Sequence, residues 1–127
     1  MATIATSHKT AAETFLALVS SGEVRRGYDT YVGQGFRHHN AHFAADGDSL
    51  LKAMEENARQ NPQKKIEIKQ TIEEGDRVAV FSHVRHNPAE PGYALVHIFR
   101  FAGDRIVEMW DVAQEVPANS PNANGMF

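Results

Sequence analysis

Residues 93–116 read YALVHIFRFAGDRIVEMWDVAQEV. Apolar side chains recur at nearly every second position, and Gly103-Asp104 breaks the run once. A period of two marks extended chain and a short Gly-Asp pair marks a turn, so the stretch predicts a strand over residues 93–101 and a second over 105–116. Because side chains on a strand alternate faces, Leu95, His97, Phe99 and Phe101 fall together, opposite Ala94, Val96, Ile98 and Arg100. On the next strand Val107, Met109 and Asp111 share one face and Ile106, Glu108 and Trp110 the other. Glu108 marks its own face as the more exposed, which places Asp111 on the apolar side beside Met109. The register across the turn stays open by one residue, and one residue would reverse the pairing of faces.

Working outward, residues 77–86 form another strand rich in Val and Phe, after a turn at Glu74-Gly75-Asp76. A loop with two prolines, residues 87–92, leads on to Tyr93. Ile66, Ile68 and Ile72 alternate with Glu67, Lys69, Thr71 and Glu73, a further strand. Before Pro62 the period becomes helical. Thr10-Ala-Ala-Glu13 reads as a capping box for a helix with Phe15, Leu18 and Val19 on one face, ended by Ser20-Ser21-Gly22. A second helix fits residues 23–32. A third follows Asp46-Gly47-Asp48, with Asp48 as its N-cap and Leu51, Met54 and Ala58 inward, and it stops at Asn61-Pro62. Residues 36–40 are too polar for a core strand, and residues 117–127 read as an extended tail. Helices followed by an antiparallel meander predict an α+β domain with three helices on one face of a curved sheet.

At 127 residues the chain, 1–127, corresponds to one domain, since domains run to roughly 100–200 residues. With 42% hydrophobic and 23% charged residues it has ordinary globular composition. The longest apolar run near the N-terminus, residues 15–19, is far below the ~20 residues of a spanning helix or the ~7–15 of a signal peptide, so a cytoplasmic protein is expected. There is no cysteine, which removes disulfides, thiolate metal sites and cysteine nucleophiles. A net charge of −3 argues against a nucleic-acid surface. Seven histidines are the one compositional oddity.

Chemistry therefore rests on histidine, carboxylate, hydroxyl or backbone groups. Parity suggests that His83, His97 and Asp111, on neighbouring strands, face a common cavity, though Val78, Val80 and Val84 compete with His83 for the interior. A carboxylate among apolar side chains needs a donor, and a histidine beside it makes a general acid–base pair. Tyr31, His97, Phe99 and Met109 are expected to help bind the ligand. Tyr28 and Tyr31 pack their helix, with either hydroxyl able to reach a cavity. His38 and His42 read as solvated loop residues. Their spacing has the i,i+4 form of a zinc pair, but the glycines at 33 and 35 and the polar run around Asn40 argue against a helix there, and no metal is expected.

At Asp76-Arg77-Val78-Ala79-Val80, Ile98-Phe99-Arg100 and Ile106-Val107-Glu108-Met109-Trp110-Asp111-Val112, and again at Asn124-Gly125-Met126-Phe127, the sequence resembles the SnoaL-like polyketide cyclase family of the nuclear transport factor 2-like superfamily. The resemblance implies a cone-shaped roll whose strongly bent sheet and three helices enclose a pocket, and a homodimer packed through the sheet. It carries the family's acid/base aspartate onto Asp111, its loop histidine onto His39, and a strand histidine onto His83. The reaction implied is a cofactor-free intramolecular aldol condensation or isomerisation of a small apolar carbonyl compound, with no membrane or nucleic-acid partner. Met109 stands where many relatives have histidine, and His97 where many have aspartate. The alternatives are a ligand-binding domain without catalysis and a domain serving mainly for dimerisation.

Overall fold

The computed structural model describes residues 7–127; residues 1–6, which the single-domain expectation also spans, lie outside the described residues. Two helices, α1 (His8–Ser20) and α2 (Val24–Tyr31), lead into strand β1 (Val32–His38) and then helix α3 (Gly47–Gln60). The meander β2 (Lys65–Glu74), β3 (Arg77–Arg85), β4 (Tyr93–Ala102) and β5 (Arg105–Glu115) follows, giving one sheet of order β1-β5-β4-β3-β2. The sheet is curved and unclosed, and the class is α+β, as expected. Among the described residues no helix is long and apolar enough to cross a membrane.

Local chemistry sets the helix starts, though not at the expected residues. Ser7, not Thr10, caps α1: its hydroxyl oxygen accepts from the Thr10 amide at 3.1 Å. Glu13 does not reach back to the helix start but accepts from the Thr71 hydroxyl at 2.6 Å, tying α1 to β2. Asp46, not Asp48, caps α3, accepting from the amide and the hydroxyl of Ser49, each at 2.8 Å. Ser7 and Asp46 both have extended backbones, the conformation an N-cap needs; Thr10 and Asp48 already lie inside their helices.

Strand β1 was not legible in the sequence. It runs parallel to β5 at the sheet edge, where a short polar strand can still complete a ladder. Gly33 permits the approach, because a Cβ there would lie 2.9 Å from the Cβ of Arg105. The Arg105 guanidinium in turn donates to the carbonyls of Asp29 and Thr30 at 2.9 and 2.7 Å, satisfying the free end of α2.

Two register shifts decide which side chains face the helices. Between β4 and β5 the pairing slips after Arg100↔Glu108, so that Phe101 meets Ile106. Ile106 is therefore fully buried in the core, although it shares sequence parity with Glu108 on the outer face. In β2 the pairing slips between Ile68 and Gln70, and Ile72 turns outward, 62% exposed, away from Ile66 and Ile68. The inner face then carries Val78 and Val80 of β3, Phe99 and Phe101 of β4, and Ile106 and Met109 of β5. These pack with Ala11, Ala12, Phe15 and Leu16 of α1, Val24 and Tyr28 of α2, and Leu50 and Leu51 of α3. Residues 117–127 hold no helix or strand. They end with the Phe127 ring stacked on Phe81 and His83, at 5.5 and 4.3 Å, over the outer face.

Candidate active site

The pairing of β4 with β5 sets His97 directly opposite Asp111 on the inner face, one step beyond Phe99 and Met109. Both line a cavity between sheet and helices. Its outer chamber, about 320 Å³, has walls of Leu16, Val19, Met54, Ile66, Val84 and Leu95, with Asn40, His42, Asn57, Lys64 and His86 at polar positions. An inner chamber of about 50 Å³ reaches Phe15, Tyr28, Leu50 and Met109. His97 and Asp111 belong to both chambers, and Asp111 is the one carboxylate in either lining.

Asp111 is held by Asn40, whose side-chain amide donates to Oδ2 at 2.9 Å. Asn40 is itself fixed, since its Oδ1 accepts from the His42 amide at 2.9 Å and its own amide donates to His38 Nδ1 at 3.2 Å. His97 is 8% exposed, and its Nδ1 is buried with no hydrogen-bond partner. Burial pushes its pKa from 6.5 down to about 4, with Asp111 opposing that shift and Lys64 adding to it. A neutral imidazole thus faces the carboxylate. Burial raises the Tyr28 phenol well above its ordinary value, and the charge of Asp111 raises it further, so Tyr28 keeps its proton. Burial also lowers Lys64, whose ammonium donates to Asn57 Oδ1 at 2.8 Å.

Of the expected site residues, the structure brings Asp111, His97 and Met109 to the cavity and takes the others elsewhere. Phe99 lies fully buried beside it, its ring parallel to that of His97 at 5.7 Å. Tyr31 packs against the core cluster without lining the cavity, and the tyrosine that reaches it is Tyr28. His83 is not on the inner face. It pairs with Ala94, one step out of phase with the inward Ser82 and Val84, and its Nε2 donates to the Pro91 carbonyl at 2.6 Å. His39 likewise leaves the cavity, stacking on Trp110 at 4.9 Å and donating to Glu108 Oε2 at 2.7 Å on the outer face. Arg37 and Arg100 complete that cluster at 3.1 and 3.0 Å, which is why Glu108, on the face expected to be exposed, is only 6% so. His38 is not a solvated loop residue either, being 5% exposed with Nε2 donating to the Ala44 carbonyl at 2.6 Å.

Asn40 and Lys64 were not recognised from the sequence as cavity residues. Asn40 carried a signal, standing one position beyond the histidine of the family-like segment. Lys64 carried none, since its direction depends on the turn that links α3 to β2.

Comparison with known proteins adds the family. Residues 9–120 match the SnoaL-like polyketide cyclase family. The chain belongs to that family. Membership points to cyclase- or isomerase-type chemistry on a small molecule. No functionally curated protein matches this SnoaL-like chain. Among solved structures, its fold is similar to that of an uncharacterised cystatin-fold protein from Novosphingobium aromaticivorans, at TM-score 0.71 and 19% identity over 84% of this chain and 98% of that one. It is similar to a candidate polyketide cyclase from Bacillus cereus, at TM-score 0.71 and 20% identity over 84% and 74% of the two chains. A candidate isomerase of the SnoaL-like family from Agrobacterium tumefaciens gives TM-score 0.69 and 14% identity over 84% and 97%. At these identities the likeness is one of fold.

Proposed function

We propose that this SnoaL-like protein is a cofactor-independent enzyme in which Asp111 is the general base, and afterwards the acid, for a small apolar carbonyl compound. The observation that carries the reading is the single carboxylate of the cavity lining, held by Asn40 and faced by a neutral imidazole and a protonated phenol. A carbonyl oxygen near Tyr28 would accept its O–H, which draws electron density from the carbonyl. Asp111 takes the proton from the adjacent carbon, and the freed electron pair moves onto that oxygen as an enolate stabilised by Tyr28 and the uncharged His97. Attack of the enolate carbon on a second carbonyl of the same molecule forms a ring bond, and Asp111 returns its proton to the new alkoxide. Reprotonation at another carbon gives isomerisation instead. His39 and His83 have no part in this account, because both rings lie on the far face, with Nε2 bonded to Glu108 and to the Pro91 carbonyl.

Positioned proton transfer contributes about 10²–10⁴-fold. Asp111→Asn is isosteric and keeps an acceptor for Asn40, so turnover of an aryl diketone panel should fall by that factor while the fold is retained. Tyr28→Phe should lower kcat less. Full turnover by Asp111→Asn would refute the reading, and a tightly bound carbonyl ligand recovered unchanged from the wild-type protein would favour a binding domain. We also read the chain as a cytoplasmic homodimer joined through the outer sheet face. There Ile72 and Val112 are 62% and 69% exposed beside the half-buried Phe81, Val96 and Trp110.

A further inference from the structure

We propose that the substrate carries a carboxylate, and that Lys64 holds this group in the outer chamber, apart from the carbon that Asp111 deprotonates. The inference rests on the acid–base reading only in placing the reacting carbon at Asp111; the anion site stands on its own geometry.

Lys64 lines the outer chamber alone, whereas Asp111 and His97 line both chambers. Among the described residues no carboxylate lies within 4 Å of its ammonium, and its one side-chain hydrogen bond is to the neutral Asn57. Lys9, Lys52 and Lys65 also make no ion pair, but they are exposed, whereas the other half-buried cations do have acids: Arg85 pairs with Glu67 and Arg100 with Glu108. A partly desolvated ammonium without a counter-ion is costly to fold around, and a methionine would cover the same wall at less expense. A lysine retained there has its natural partner in an anion that enters from outside.

The surroundings agree. The chamber lining also offers Asn57, bonded to Lys64, and His42 and His86, all able to donate, while its only carboxylate is Asp111, already bonded to Asn40. Apolar side chains of Leu16, Val19 and Met54 line both chambers. A monoanion with an apolar body fits this polarity, with its charged group against Lys64 and its carbonyl toward Asp111. The opposite orientation would set two carboxylates side by side. A chamber of about 320 Å³ is at the small end of ligand pockets, so the body is of one or two rings.

The test compares two probes of one shape, trans-cinnamate and cinnamamide, titrated into the intact chain at pH 7 and followed by calorimetry and amide NMR shifts. Wild-type protein should bind cinnamate about tenfold more tightly or better, the low end of what a hydrogen bond to a charged group contributes. Lys64→Met should bring the two affinities together, Lys64→Arg should keep the preference, and Lys52→Met, on the exposed side of α3, should leave it unchanged. If Lys64→Met does not fold, Lys64→Gln serves the same comparison. Equal wild-type affinities, a preference that survives loss of the ammonium, or no measurable cinnamate binding would overturn the proposal. Asp111→Asn should keep the preference whether or not it retains turnover, so the anion site and the acid–base role fail separately.

Discussion

Between pH 7 and pH 5, above the range in which the carboxylates titrate, acidification should destabilise this protein chiefly through His97. Its imidazole is buried between Phe99 and the cavity and takes up a proton only near pH 4, against 6.5 for an exposed histidine. Above pH 6.5 the folded and unfolded chains both hold the ring neutral. Between 6.5 and 4 the unfolded chain binds the proton and the folded chain does not, so stability rises with pH across that window and is lost as pH falls through it. Each factor of ten in proton affinity is about 1.4 kcal/mol, and integration from pH 7 to pH 5 gives a loss of about 2 kcal/mol. Trp110 is the only tryptophan, so urea unfolding followed by its fluorescence at the two pH values measures the difference. His97→Phe keeps an aromatic ring against Phe99, removes the unpaired Nδ1 and removes the titration, and its fall over the same interval should be smaller by about that 2 kcal/mol. An identical fall in wild type and variant, or a His97 titration near pH 6.5 by NMR, would refute the reasoning.

Other perturbations address other parts of the account. Asn40→Ala should free Asp111 and the 40–42 loop, costing about 1–2 kcal/mol in urea unfolding and lowering kcat more than it raises KM. Gly92→Ala should cost at least about 1–2 kcal/mol by the same assay, since Gly92 has φ +83 and an added Cβ would lie 2.3 Å from the Val84 carbonyl oxygen. Val112→Arg, on the outer sheet face, should convert a dimer to a monomer in sedimentation equilibrium without unfolding the chain.

The four-strand meander and the three helices were readable because a period of two or of 3.6 marks most of each element and turn residues bound it. That His97 and Asp111 lie on the apolar faces of their strands was readable from parity and from the charge of Glu108, but their pairing was not, because the turn at Gly103-Asp104 left the register open by one residue until the ladder set it. What misled the eye was local. One extra residue in β5 moved Ile106 into the core, and one in β2 moved Ile72 out, because a bulge reverses parity with no mark in composition. His83 sat between two equally apolar phases, and the phase holding Val80, Ser82 and Val84 won because it packs against the helices. His39 adjoins both Asn40 and a parallel edge strand. Its direction was set by Glu108, a carboxylate 69 residues away in sequence.

The central claim is that Asp111 removes a proton from carbon in this cavity, and the most direct measurement is exchange of that proton with solvent. An aryl diketone turned over by the wild-type protein, incubated with it in D2O and followed by proton NMR, should lose the signal of its α-hydrogens far faster than in buffer. With Asp111→Asn the exchange rate should fall by about 10²–10⁴-fold. Exchange at the wild-type rate in that variant, with the substrate still bound in the cavity, would contradict the account.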